Sequence, residues 1–169
     1  MGRHRTRLPT GERLSVHVFR TELLIPRPRP EVFDFFSRAS NLERITPPFL
    51  KFQIKTPEPI EMRQGALIDY TLRIHGIPAL WRTEIAEWEP PYCFVDRQLK
   101  GPYKLWHHTH TFSAESGGTR MVDQVRYEVP LGPLGDIVHA LFVRKDVTDI
   151  FKYRNSEIPR LLYSSEPRP

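Results

Sequence analysis

Three histidines stand within four positions of the stretch GPYKLWHHTHTF, which occupies residues 101–112. They are His107, His108 and His110. Imidazole titrates near neutral pH and is the commonest metal ligand among side chains. The stretch could therefore supply an acid or base for catalysis, a metal site, or the polar lining of a ligand pocket. The choice depends first on the side of the backbone to which each histidine points.

Period-two alternation in the strand predicted over residues 103–113 divides these histidines between two faces. His108 and His110 share one face with Trp106 and a phenylalanine, whereas His107 lies on the other. The face with two large aromatic side chains is the bulkier one and is expected to face the interior. We therefore expect His108 and His110 to point inward and His107 to point outward.

Asp123 is the candidate partner of the inward histidines. It lies in the next predicted strand, residues 119–129, on a face that is otherwise apolar, and the turn ESGG joins the two strands. Pairing across that turn places Asp123 within a residue or two of His108 or His110. A histidine with a carboxylate partner in an apolar cleft is a common general acid or base. A buried aspartate can also be present only to satisfy a buried histidine. Both interpretations stay open, and contact with a ligand is compatible with either.

A metal site is the weaker interpretation of the same residues. Two histidines two positions apart on a strand can bind zinc, but such a site needs further ligands. Asp123 could be one of them, yet no cysteine or further histidine is near in sequence, and His75 and His139 are distant. The chain also lacks nucleotide- and phosphate-binding glycine motifs. We therefore predict no metal ion and no cofactor.

An arginine and several aromatic residues are further candidates for a pocket wall. Arg154 falls on the apolar face of the predicted C-terminal helix, where an inward arginine requires a carboxylate. We expect that carboxylate to be Asp69, Glu84 or Asp96, with a ligand as the alternative. A tyrosine hydroxyl could orient a ligand carbonyl or bond to a neighbouring group. The aromatic candidates are Tyr70, Tyr103, Tyr127, Trp81, Trp88 and Trp106.

The amino-acid composition indicates which class of protein this is and which partners are excluded. The chain has 169 residues, 39% of them hydrophobic and 27% charged, which is typical of a soluble globular protein. The net charge of +5 arises in residues 1–30, where seven arginines stand against two glutamates. We expect residues 1–12 to be a disordered basic arm and no nucleic acid to bind. No apolar run is long enough to span a bilayer, and Cys93 is the single cysteine. These features predict a cytoplasmic protein without stable membrane insertion.

Periodicity and turn signals predict the elements that position these residues. A first strand over residues 14–25 ends at the run PRPRP, and Pro30 suits the first turn of a short helix. A second short helix starts near Asn41. A long helix is predicted over residues 134–162, with Pro159 as a late kink or stop. The remaining strands are predicted at residues 51–56, 66–75, 79–88, 92–99, 103–113 and 119–129.

This order predicts an α+β fold. Strands with such short connections form an antiparallel meander, and the sheet and the long helix must bury their apolar faces against each other. A curved sheet wrapped on one helix leaves a cavity suited to a small apolar ligand. We expect a single domain over residues 13–163, followed by a tail at 164–169.

Several strings carry a resemblance to a known superfamily. They are the proline before VFDFF and the segments NLERITPPFL, GIPALW, FVDRQLKGPYKLWHHTHTF, GTRMVDQVRYEVP and FKYRN. The chain, over residues 15–162, resembles the START-like or SRPBCC helix-grip superfamily, and most closely its bacterial polyketide cyclase/dehydrase-type ligand-binding proteins. The resemblance implies a curved seven-stranded antiparallel sheet around a long C-terminal helix, with two short helices after the first strand.

The superfamily shares a cavity rather than a reaction, so two functional hypotheses follow. In the first, the protein binds a lipid, an isoprenoid or a polyketide-like molecule between the sheet and the C-terminal helix. In the second, it is a cyclase or dehydratase in which His108 or His110, paired with Asp123, moves a proton. Whether it is an enzyme, and its oligomeric state, stay open. The expected ligand-binding residues are Tyr70, Trp81, Trp106, His108, His110, Asp123, Tyr127 and Arg154.

Overall fold

A computed structural model describes residues 16–130 and 133–163. The predicted basic arm and the C-terminal tail lie outside the described residues. The strands are β1 (His17–Ile25), β2 (Gln53–Ile54), β3 (Leu67–Ile74), β4 (Ile77–Glu89), β5 (Cys93–Lys100), β6 (Leu105–Glu115) and β7 (Gly118–Glu128). The helices are α1 (Arg29–Phe36), α2 (Ala39–Arg44), α3 (Pro133–Val138) and α4 (Arg144–Tyr163). A 3-10 turn forms at Pro48–Leu50, and a π-helical turn at His139–Val143 joins α3 to α4.

The seven strands form one antiparallel sheet in the order β1-β7-β6-β5-β4-β3-β2. All neighbours from β2 to β7 are consecutive in sequence, and β1 pairs with β7 from Ile25 opposite Thr119 to His17 opposite Tyr127. The predicted seven-stranded antiparallel sheet with a C-terminal helix is therefore confirmed. The meander keeps β5, β6 and β7 side by side, so residues on their inner faces can meet.

Two elements differ from the sequence prediction. The strand expected over residues 51–56 is only Gln53–Ile54, because the amides of Lys55 and Thr56 both turn to the carbonyl of Asp69, at 2.7 and 3.2 Å. The helix expected over residues 134–162 is interrupted by the π-helical turn described above.

Pro159 does not end the last helix, which runs on to Tyr163. Ile158 is fully buried and Leu162 is buried in the same core cluster. Packing on both sides of the proline therefore outweighs the backbone hydrogen bond that a proline removes. The buried stripe of α4 consists of Val147, Phe151, Arg154, Ile158 and Leu162.

The first two helices close one end of the sheet. Pro30 occupies the first turn of α1, where its missing amide proton costs nothing, and the helix buries its phenylalanines against the sheet. The ring of Phe33 meets that of Phe112 on β6 edge-on, with centroids 5.4 Å apart. The side-chain amide of Asn41 on α2 donates to the carbonyl of Phe35 at 2.8 Å, which fixes the two helices to each other.

Replacing Ile158 by alanine is expected to lower the free energy of unfolding by about 2–5 kcal/mol, because the side chain is fully buried and its loss leaves a cavity. Ile158→Val should cost about 0.5–1.5 kcal/mol. Urea denaturation measures both changes, and the exposed α4 residue Lys152, changed to alanine, is the control. An Ile158→Ala protein as stable as the control would show that α4 does not anchor the core.

Candidate functional site

Four charged or titratable side chains meet on the inner face of β5, β6 and β7. Asp96 on β5 is opposite His108 on β6, and His110 on β6 is opposite Asp123 on β7. His108 and His110 are each 4% exposed and Asp123 is 2% exposed. We call Asp96, His108, His110 and Asp123 the His–Asp cluster. Alternation along β6 therefore directs these two histidines into the interior, as the sequence pattern indicates.

Each carboxylate of the His–Asp cluster lies between the two imidazoles. Asp123 Oδ1 is 2.8 Å from His108 Nε2 and 2.8 Å from His110 Nδ1. Asp96 Oδ2 is 2.9 Å from His110 Nε2 and 3.5 Å from His108 Nδ1. The His110 Nδ1–Asp123 contact is close but is not aligned as a hydrogen bond, so its contribution is mainly electrostatic.

These distances assign the protons of the cluster. Both nitrogens of His110 lie within 2.9 Å of a carboxylate oxygen, where a lone pair would be repelled, so we assign His110 as an imidazolium. His108 donates from Nε2 to Asp123, and its Nδ1 is 3.5 Å from Asp96, beyond hydrogen-bond distance of a carboxylate. We therefore assign His108 as neutral, with a lone pair on Nδ1.

The pKa shifts agree with this assignment. Burial alone would lower the pKa of His110, but the carboxylates of Asp123 and Asp96 outweigh it and raise that pKa above its ordinary value. Burial and then the positive charge of His110 lower the pKa of His108, which the two carboxylates only partly oppose. Burial would raise the pKa of both acids, yet the histidines hold the pKa of Asp96 below its usual range and that of Asp123 well below it.

Aromatic rings enclose the two imidazoles. Phe94 on β5 stacks on His110 with ring centroids 4.1 Å apart and planes 21° apart. Phe151 on α4 meets the ring of His108 edge-on at 5.5 Å. The cluster is thus surrounded by apolar groups, where electrostatic interactions are stronger than in water.

A cavity of about 120 Å³ lies beside the cluster. It is bounded by the inner face of β3–β6, by α1 and α2, and by one residue of α4. Most of its wall is apolar. The polar groups that the sheet and α4 contribute to it are three members of the cluster, an arginine and two hydroxyl groups. These polar residues are Tyr70, Thr83, Asp96, His108, His110 and Arg154.

Five of the eight residues predicted to bind a ligand line this cavity: Tyr70, Trp106, His108, His110 and Arg154. The other three are not part of its wall, and ligand binding by them stays a prediction. Trp81 packs edge-on against Trp106 at 5.3 Å and donates from Nε1 to Thr83 Oγ1 at 3.1 Å. Tyr127 also packs behind Trp106, at 6.0 Å. Asp123 lies behind the histidines and acts on them rather than on the cavity.

Arg154 does not meet two of the carboxylates that we expected as its partners. Asp69 instead binds Arg82, at 2.7 and 2.8 Å, and both are exposed. Glu84 binds Arg97 at 2.6 Å. Each of these pairs joins neighbouring strands, so both acids are occupied on the sheet.

The third expected partner, Asp96, bonds to His110 and not to Arg154. Within the described residues, Arg154 forms no hydrogen bond or ion pair, and its buried Nε has no acceptor. Its guanidinium carbon lies 5.0 Å from the centroid of the Phe151 ring. The cavity wall therefore includes a cation whose donors are not used by the described part of the chain.

His107 and His75 are not part of the cluster. His107 is on the opposite face of β6, as expected, but it is half-buried rather than fully exposed. His75 Nε2 is 2.8 Å from Asp146 Oδ2 and so joins the β3–β4 turn to α4. The side chain of His139 lies outside the described residues.

Asp96 is the functional residue that the sequence reasoning did not place in the cluster. The local signal for it is approximate, because the segment GPYK between β5 and β6 brings Asp96 to within a residue of His108 without fixing its exact partner. The observed register puts Asp96 opposite His108 and Phe94 opposite His110.

Three atoms of the cluster could hold a metal ion. Asp96, His108 and His110 each offer one ligand atom, and these atoms lie within 4.8 Å of one another. Asp123 would hold the other ring nitrogens, as carboxylates do in many metal sites. Asp96, rather than the Asp123 of the sequence argument, is thus the third possible ligand, although it already bonds to His110. The absence of a metal ion remains a prediction.

A second cavity, of about 280 Å³, lies near the β3–β4 turn and the first half of α4. Its wall includes Leu50, Leu72, Tyr103 and Ile150. These residues belong to the same hydrophobic cluster as Tyr70 and Trp106, which line the first cavity. One aromatic cluster therefore forms walls of both cavities.

A protein-family model covers most of the folded chain. The model described as "Polyketide cyclase / dehydrase and lipid transport" matches residues 25–150. The chain belongs to this family. Its membership confirms the resemblance to the START-like helix-grip superfamily. A search of the curated proteins found no match.

Solved structures share the fold of this polyketide cyclase/dehydrase family member. Ara h 8.0201 is 19% identical with a TM-score of 0.63, covering 89% of this chain and 100% of its own. TTHA0849 from Thermus thermophilus is 22% identical with a TM-score of 0.63 and the same coverage of both chains. Protein CV1439 from Chromobacterium violaceum is 13% identical with a TM-score of 0.66, covering 86% of this chain and 96% of its own. The chain thus has a helix-grip fold of the hydrophobic ligand-binding type.

Among the described helices, none combines the length and the apolar character that crossing a bilayer requires.

Changing Asp123 to alanine is expected to lower the free energy of unfolding by about 3–5 kcal/mol, because it leaves the His110 charge and the His108 donor without their buried partner. The matched control is Asp69→Ala, which breaks an exposed pair with Arg82 and should cost no more than about 1 kcal/mol. Chemical denaturation of both variants compares the two. Equal losses would mean that the buried cluster has no special role in stability.

The cluster also predicts how stability depends on pH. As pH rises to about 6.5, the free energy of unfolding should rise, because the unfolded chain binds protons on Asp96, Asp123 and His108 that the folded protein does not bind. Above about pH 6.5 it should fall, since folded His110 keeps a proton that the unfolded chain loses, until the pH passes the raised pKa of His110.

Urea denaturation between about pH 4 and about pH 9 tests this maximum. A His110→Gln protein should lose the fall in stability above about pH 6.5, and a His75→Gln protein, altered at an exposed histidine, should keep it. A fall of the same size in the His110→Gln protein would contradict the assignment of His110 as the imidazolium.

Proposed function

We propose that the protein binds a small, mainly apolar molecule in the cavity beside the His–Asp cluster, with a polar end of that molecule at the cluster. The observation that carries this proposal is a cavity with a mainly apolar wall and one buried group of charged side chains on it. In ligand sites of this kind, burial of apolar surface provides the affinity for the apolar part of the ligand, and a few polar groups fix its orientation. Membership of a polyketide cyclase/dehydrase and lipid transport family supports the same function.

The size of the cavity narrows the ligand. An engineered protein cavity of about 150 Å³ accommodates benzene, and this one measures about 120 Å³. This cavity is slightly smaller, so we expect a ligand whose apolar body is no larger than a single ring or a short acyl chain. A polyketide-like or isoprenoid fragment is favoured over a long lipid chain, which would also need the second cavity beyond Tyr70 and Trp106. We place this binding in the cytoplasm.

A second candidate function is acid–base catalysis in the same cavity. Asp96 lines the cavity and Asp123 does not, so the His108 nitrogen on the cavity side is Nδ1, which carries the lone pair. His108 Nδ1 could accept a proton from a carbon next to a ligand carbonyl and return it to a departing hydroxyl group, which leaves as water. His110 would supply positive charge near the developing enolate oxygen. This is the chemistry of a cyclase or dehydratase.

Binding can be tested by obstructing the cavity. Native mass spectrometry of protein from its own host should detect a bound small molecule, and small aromatic ketones and phenols should raise Tm. Leu42 lines the cavity, so Leu42→Trp should abolish the rise in Tm. Leu80→Trp, at a residue that is 64% exposed, is the matched control and should keep it. Absence of any bound species, together with no rise in Tm across the panel, would refute the proposal.

Catalysis is separated from binding by His108→Gln. If the protein only binds its ligand, the variant should lose about 1 kcal/mol of affinity, the value of one hydrogen bond. If His108 is a general base, turnover of a converted ligand should fall by about a hundredfold or more while the dissociation constant changes little. An unchanged turnover number would exclude His108 as the base.

A further inference from the structure

The most unusual group in the cavity wall is the guanidinium of Arg154. The side chain lies on α4 between Phe151 and Ile158 in the buried stripe, and the residue is 7% exposed. It lines the cavity, and its Nε is buried with no acceptor. Among the described residues, none accepts a hydrogen bond from it or forms an ion pair with it.

A buried cation without a partner is costly. The penalty for removing an ion from water amounts to several kcal/mol even after relaxation. Arginine cannot escape this penalty by losing its proton, because a guanidinium stays charged in proteins. The positive charge of Arg154 is therefore a permanent feature of the cavity, and an arrangement of this kind is stable when a counter-charge is supplied from elsewhere.

The His–Asp cluster supplies that counter-charge but no hydrogen-bond acceptor. With Asp96 and Asp123 ionised and His110 protonated, the cluster has one net negative charge, and Arg154 lowers the pKa of Asp96 from a distance. Asp96 nevertheless accepts from His110 through Oδ2 and forms no hydrogen bond or ion pair with Arg154. Arg154 thus has electrostatic compensation but no acceptor for its planar donors among the described residues.

The polar groups that α1, α2 and their junction contribute to the wall are already bonded. Arg38 pairs with Asp34 at 2.6 Å, and both side chains are exposed. Asn41 donates to the carbonyl of Phe35 and accepts from Arg44. The hydrogen bonds of these groups therefore stabilise the helices, and we do not assign them to ligand binding.

The hydroxyl groups on the sheet side of the wall are bonded as well. Tyr70 and Thr83 share a hydrogen bond with 3.2 Å between their oxygens, and Trp81 also donates to Thr83. Among the described residues of the wall, Arg154 is therefore a buried group with unused donors, and His108 Nδ1 is an imidazole nitrogen with an unused lone pair. A proton taken up at His108 Nδ1 would restore the charge balance if an anion entered.

From this geometry we infer that the ligand of the cavity carries a carboxylate and that Arg154 is its counter-ion. This inference rests on the proposed binding function and adds the chemical class of the ligand. A carboxylate accepts two parallel hydrogen bonds from a guanidinium, and such charged pairs are among the stronger hydrogen bonds in proteins. The cavity of about 120 Å³ leaves room for one ring or a short chain attached to that carboxylate. The ligand class is a small aromatic or short-chain carboxylic acid.

Matched pairs of acids and amides test this inference. The probes are benzoate and benzamide, phenylacetate and phenylacetamide, and isovalerate and isovaleramide, with affinities measured by titration calorimetry. The wild-type protein should bind at least one acid about tenfold or more tightly than its amide, as expected for a charged hydrogen bond. Arg154→Met should abolish that preference without abolishing the binding of the amide. Arg160→Met, on the exposed side of the same helix, should retain it.

The stability of the Arg154→Met protein without ligand gives a second measurement. Because no described residue accepts a hydrogen bond from Arg154, removing its buried charge should leave Tm equal to or higher than that of the wild type. A marked fall in Tm would mean that Arg154 holds the fold through Asp96, and it would overturn the inference.

The outcomes also separate this inference from the proposed function. If amides or other neutral compounds bind and the acids bind no more tightly, the carboxylate inference is wrong and the binding function stands. If no acid, amide or neutral compound of either panel binds, the binding function itself fails, and the inference with it.

Discussion

The enclosure of two buried imidazoles, one buried carboxylate (Asp123) and one half-buried carboxylate (Asp96) on three adjacent strands is the constraint to which the rest of the structure conforms. Their charges cannot be screened by water, so each ring must meet each carboxylate within the sheet. The rings and carboxylates meet in this way only if Asp96 is opposite His108 and His110 is opposite Asp123. A shift of one residue in either pairing would turn a whole strand over and leave buried charges without partners. The His–Asp cluster therefore specifies the register of β5, β6 and β7 in addition to forming one side of the cavity.

The apolar packing around the cluster has a complementary role. Phe94 and Phe151 exclude water from the imidazoles, while α1, α2 and α4 keep the inner face of the sheet away from solvent. The helix that completes this enclosure also contributes Arg154, so the element with the largest apolar stripe places a cation beside an acidic cluster. The cavity remains between them because a guanidinium and ionised carboxylates cannot be packed over by apolar side chains without a large desolvation penalty.

The sequence predicts local features well, but it predicts fewer of the contacts that depend on the pairing of several strands. Alternation places His108 and His110 on the inner face, and the length of the ESGG turn brings Asp123 to His110, because both signals act over a few residues. The expectation that Asp69, Glu84 or Asp96 pairs with Arg154 is wrong. A carboxylate can bond to an arginine or to a histidine, and the register of all the strands decides which of them it meets.

Features that depend on packing between residues far apart in sequence also cannot be predicted from a local sequence pattern. The short strand at Gln53–Ile54 and the continuation of α4 past Pro159 are both of this kind. The lack of a partner for Arg154 among the described residues is another, because it requires knowing where Asp69 and Glu84 point.

The arrangement of the cluster explains how the same cavity could either bind a ligand or catalyse a reaction. Asp123 fixes the His108 tautomer from behind, so the lone pair of Nδ1 is on the side of the cavity. The same carboxylate, with Asp96, keeps His110 protonated, so a base and a cation stand 3.7 Å apart between ring centroids. Any ligand with a polar end would be oriented by this pair, and proton transfer would need in addition an acidic C–H bond placed within reach of His108 Nδ1. The position of the ligand's own reactive carbon therefore decides between the two functions, and Arg154, by fixing the polar end, would set that position.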